Sequence, residues 1–197
     1  MSNNDPVAES GLALAWSVFL NGTADEMALE IATGQSIQED VFRSEAHCLR
    51  RFGIEMGILI AQLEEVVANE VFFYFREGAE LIRTDGRSTS GEKRARTERD
   101  FILMKIKGLR ALAQRDDPSQ LLQVEANKVF APPYERVSAR LKEYAELLIP
   151  GEKELSLRRI GAKFAVFCNV PEEPIISLLG TTVLVHEQKF ARDFLEG

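Results

Sequence analysis

Apolar positions recur at three- and four-residue intervals along most of the chain, and period-two alternation is almost absent. Val7 to Leu20 carries Leu12, Ala15, Trp16, Phe19 and Leu20 at helical spacing until Asn21-Gly22 stops it. Thr23-Ala-Asp-Glu26 has the form of a capping box and predicts a short helix ending at Gly34. Ser36-Ile-Gln-Glu39 repeats that device and opens the longest periodic stretch. Ile37, Val41, Cys48, Phe52, Met56, Leu59, Leu63, Val67 and Val71 form one predicted stripe there. Gly53 and Gly57, four apart within it, mark a place for a close helix approach or a break. The stretch closes on Phe72-Phe73-Tyr74-Phe75 and fades after Gly78.

Residues 84–91 hold no apolar side chain and read as a loop. Further helices are predicted from about Ser90 to Gln114, over 118–130 behind the Asp117-Pro118 start signal, over 134–149 and over 153–168. One or two more follow Pro174, with Val183-Leu-Val185 as a possible short strand that has no sheet to join. The expected fold is therefore all-α, seven to nine helices in two packed lobes, 1–115 and 116–197, and no tandem repeat indicates a solenoid.

Composition narrows the class without naming a chemistry. Of 197 residues, 45% are hydrophobic and 28% charged, the balance of a globular chain rather than a disordered one. No apolar run approaches the ~18–20 residues of a membrane span, and Met1 to Pro6 lacks the basic start of a secretory leader. Only Cys48 and Cys168 are present, which excludes a disulfide framework and a zinc ribbon and fits a reducing cytoplasm.

Charge is the informative quantity. The net charge of −7 conceals a segment, residues 83–115, with 10 basic and 4 acidic side chains, whereas residues 1–82 carry 4 basic and 14 acidic. Arg87, Lys93, Arg94, Arg96 and Arg99 lie on the predicted loop and the first turns of the helix after it. Mobile cations of this kind suit a phosphate backbone, with arginine adding bidentate geometry. An electrostatic match to the acidic first third, within one chain or between copies, accounts for the same pattern.

Catalytic candidates are few. His47 and His186 are the only histidines, and Arg43-Ser-Glu-Ala-His47 is one residue short of the Arg…His spacing of helical ribonucleases. A partly buried helical histidine is the plainer reading, so no catalytic residue, metal or cofactor is expected. Glu-x-x-His, Walker and nucleophile-elbow sequences are absent, and Asp116-Asp117 reads as a helix cap. Four consecutive aromatics at 72–75 point all ways round a helix, which favours core packing over base stacking. Leu49-Arg50-Arg51 and Leu157-Arg158-Arg159 repeat one tripeptide on two predicted helices.

The last third has a more particular order. Ser138 to Leu148 is followed by Leu155-Ser-Leu-Arg-Arg-Ile160, then Val170-Pro171, Ile175-Ile-Ser-Leu-Leu179 and Phe190-Ala-Arg-Asp-Phe194. Together with Ala46-His-Cys-Leu-Arg-Arg-Phe52, this order resembles the CasB family, the helical small subunit of the type I-E CRISPR Cascade complex. Position 190 is Phe where that family usually has Trp. The resemblance implies a non-catalytic, two-lobed antiviral-defence subunit that oligomerises in an RNA-guided complex and steadies single-stranded or guide-bound nucleic acid. It carries Arg50, Arg51, Arg158 and Arg159 over as phosphate contacts and Arg192 as an ion-pair partner of the last helix. Two other functions stay open: a helical adaptor that binds only protein, and a ribonuclease built on Arg43 and His47.

Overall fold

The structure is a computed structural model, and it describes residues 5–19, 23–84 and 130–197. Those residues form seven helices and no strand. They are α1 (Pro6–Phe19), α2 (Thr23–Gly34), α3 (Glu39–Ile60), α4 (Glu65–Thr84), α5 (Tyr134–Ala145), α6 (Lys153–Phe167) and α7 (Pro174–Glu196). The all-α class expected from the periodicity is what the chain adopts. The helices expected over 90–114 and 118–130, and the lobe boundary at 116, lie outside the described residues.

Several local expectations change. The long stripe from Ile37 is broken at 61–64, and its two halves become α3 and α4. Gly78 is an interior residue of α4, which runs on to Thr84. Val183-Leu-Val185 lies inside α7, a single helix started by Pro174 in its first turn, with Glu173 accepting from the Ile175 amide as N-cap. Ser36 does not open α3. It sits at φ 64° and ends α2, because Ile37 N–H returns to Ala32 O and Ser36 N–H to Thr33 O. Asn169, also at φ 64°, closes α6 in the same way, with Val170 N–H donating to Ala165 O. Both are left-handed helix terminators placed on non-glycine residues.

The chain divides into two compact units, each made from separate stretches. The first pairs α1 with α4, and Leu14, Ala15, Trp16, Val18 and Phe19 are buried with Val71, Phe75, Ala79 and Ile82. Gly11 is where the two helices come closest, since a Cβ there would stand 2.6 Å from that of Tyr74.

The second unit gathers α2, α3, α5, α6 and the body of α7 round one core that includes Phe42, Leu49, Phe52, Tyr144, Ile160, Phe164 and Leu184. Within it α3 is the enclosed helix. It packs on α2, α5 and α6, and α7 closes over it at Gly53 and Gly57. A Cβ at Gly57 would lie 2.6 Å from Gln188 O and from the Ala191 Cβ. The close approach read from those glycines is therefore made by α7. Enclosure on so many sides buries the polar positions of α3 along with the apolar ones, and each buried charge then needs a partner.

Candidate functional site

The sequence-predicted site residues separate into three groups. Arg87, Lys93, Arg94, Arg96 and Arg99 lie outside the described residues. Arg50 and Arg51 are on enclosed α3, at 9% and 2% exposure. Arg158 and Arg159 are exposed on α6.

Arg50 is committed inward. Its Nε donates to Glu187 Oε1 of α7 at 3.0 Å, and Glu187 is itself buried. Burial alone would raise the Glu187 carboxyl. The Arg50 charge, a hydrogen bond from His186 and the Arg50 hydrogen bond outweigh it and hold the group below its ordinary range. As placed, Arg50 and Arg51 do not offer a guanidinium to a solvent-borne phosphate. Arg50 ties α3 to α7 through Glu187, and Arg51 is buried beside it.

The α6 pair is different. Arg158 Nη2 lies 2.5 Å from Glu154 one turn back, with both side chains largely in water. Such a pair contributes little and is easily exchanged. Arg159 has no ion-pair partner among the described residues.

A buried carboxylate cluster was not anticipated. Glu45 is fully enclosed, and α5 reaches it with two arginines one turn apart. Arg136 Nη2 donates to Oε1, and Arg140 Nε donates to Oε2 at 2.9 Å. Arg140 also donates to Glu143 at 2.9 Å and lies over the Phe167 ring at 3.6 Å, and Glu143 in turn takes Lys163 at 3.1 Å. Burial would lower the Arg140 pKa, but the Glu45 hydrogen bond and charge raise it instead. The chain did carry a signal: Phe42, Glu45, Leu49 and Phe52 follow 3-4-3 spacing, so a carboxylate occupies a core position and calls for cations.

Near this cluster the side chains are chemically quiet. Burial, then the Glu45 charge, pushes the Cys48 and Cys168 thiols up to about 12. Tyr144 is raised by the same causes, and its buried hydroxyl has no hydrogen-bond partner among the described residues. His47 is buried at 6% exposure, whereas Arg43 pairs with Glu39 at 2.7 Å and lies over the Phe130 ring. Among the described residues, no group of three or more His, Cys, Asp or Glu side chains is placed to hold a metal ion. Of the aromatic run, Phe75 is fully buried and Phe73 is 58% exposed, as a helical run pointing all ways requires.

No family model, curated protein or solved structure matches the chain significantly. No helix among the described residues is long and apolar enough to cross a membrane.

Proposed function

We propose that the chain is a non-catalytic helical subunit of a larger nucleoprotein assembly, of the kind its resemblance to the CasB family implies. In this reading it steadies a single-stranded or guide-bound nucleic-acid backbone, with other subunits or further copies as partners, in the cytoplasm. The observation that carries it is the concentration of 10 basic residues in 83–115 within a chain of net charge −7. Cations are gathered in one stretch of sequence while the rest of the chain carries the charge that repels phosphate, and backbone contact needs cations rather than base reading. The buried state of His47 supports a non-catalytic role over the ribonuclease reading, since a general base must reach its substrate.

Fluorescence anisotropy with a labelled single strand at low salt tests the proposal. Neutralising about four phosphates makes log K fall against log salt with a slope near −3. Arg94→Glu, Arg96→Glu and Arg99→Glu together should abolish both the binding and the slope. Unchanged binding would remove the segment from nucleic-acid contact.

A second reading, a helical module that binds only protein, is favoured by exposed aliphatic residues on α6 and α7, among them Leu155, Val166, Ile175 and Leu178. Oligomers that persist in high salt during size-exclusion chromatography, with no nucleic acid co-eluting, would select it.

A further inference from the structure

The outer face of α6 includes Arg158 and Arg159, phosphate contacts in the nucleic-acid reading, but also an order of aliphatic residues that this reading does not use. Leu155, Arg159, Ala162 and Val166 follow 4-3-4 spacing, the d-a-d-a register of a helix-pairing seam. Leu155 is 46% and Val166 45% exposed, and Arg159 and Ala162 are exposed between them. The core side of the same helix, Ser156, Ile160, Gly161 and Phe164, is already occupied. Gly161 meets Ser177 and Thr181 of α7, so the seam faces away from that helix. A solvated face has no need of two large aliphatic residues in seam register, and here Leu155 and Val166 stand at its ends with Arg159 and Ala162 between them.

Charge identifies the occupant. In this register Arg158 is at g and Lys163 at e, so both flanks and one seam position are cationic. Lys163 is shared with Glu143, and the Arg158 pair with Glu154 is open to water and cheaply displaced. A helix with Lys or Arg flanks would be repelled, whereas one with Glu or Asp flanks gains opposite pairs on each side. Ala162 leaves room at the middle of the seam for a large apolar side chain, with a carboxylate opposite Arg159. We infer that the outer face of α6 is a docking seam for an acidic amphipathic helix of a partner protein. The inference goes beyond nucleic-acid contact and does not rest on it.

The test uses the full chain and a labelled synthetic helix of about three heptads, Leu at its seam positions and Glu at its flanks. A twin with Lys flanks and a thymidine oligonucleotide serve as the other probes. The Glu-flanked helix should bind, its twin should not, and Arg159→Glu and Val166→Asp should each weaken binding about tenfold. Both positions are exposed, and an unchanged thermal melt confirms that the variants fold. Leu155→Asp gives an independent third reading. Equal binding of the two helices, or no effect of Val166→Asp, overturns the inference. Oligonucleotide binding that is lost in Arg159→Glu and kept in Val166→Asp gives the face to nucleic acid instead. A concentration-dependent dimer in sedimentation, lost in Val166→Asp, gives it to a second copy. Either result overturns the assignment to a partner helix.

Discussion

Leu49-Arg50-Arg51 and Leu157-Arg158-Arg159 are the same three residues on two helices of one unit, yet they sit in opposite environments. Leu49 is wholly buried and both arginines beside it are nearly so, whereas Leu157 is half-buried and both of its arginines are in water. Neighbours make the difference. α3 is covered by α2, α5, α6 and α7, so even the polar side of its helix meets protein. α6 turns one side inward and leaves the other open. An arginine pair has no fixed meaning. Its role is set by how many sides of its helix are covered, and the tripeptide does not encode that.

Arg50→Ala is the strongest way to break the comparison. It leaves Glu187 buried with its main counter-charge removed, and stability measured by urea denaturation should fall by about 3–5 kcal/mol. A loss within the range of a surface pair would erase the distinction between the two sites. Removing both charges with Arg50→Met and Glu187→Leu should recover much of that loss, because the buried pair is worth less than either unpaired charge.

The glycine that lets α7 cover α3 comes next. Gly57→Leu forces a side chain against Gln188 O and should cost about 1–3 kcal/mol by overpacking. Gly34→Ala, with nothing within 4 Å of the added Cβ, should be neutral or mildly stabilising in the same assay.

Acid sharpens the contrast. Glu187 is held below its unfolded pKa, so its contribution is present above that value and is lost as pH falls through the folded one. Urea midpoints from pH 7 downward should therefore show an acid limb that flattens in Glu187→Gln. The smallest effect belongs to the surface: Arg158→Ala should alter stability by about 0.5 kcal/mol or less, and added salt should remove even that.

How much was legible follows from the same physics. Helix class and most element edges were written locally, in proline starts, glycine stops and 3.6-residue stripes. The α7 start at Pro174 shows it, and α2 ends at Gly34 as expected although left-handed Ser36, not the glycine, closes it. Ser36 misled because a serine followed three residues on by glutamate suits a cap, while the chain used it to end the previous helix. The break at 61–64 was hidden because Leu59, Leu63 and Val67 keep helical spacing across it. The Glu45 clasp joins residues about 90 positions apart, and no local pattern reports which arginine will answer a buried carboxylate. The exposure of Arg158 and Arg159 was unreadable for the same reason.

The two cysteines have one more consequence. Both belong to the unit built round α3, both are buried, and both thiols are pushed up to about 12, so neither is an effective nucleophile while that unit stays closed. The α1–α4 unit has no thiol at all among its residues. A disulfide reagent added to the intact protein therefore starts a clock that only one half of the molecule can stop. Its rate measures how often that half opens, without a label having to be engineered.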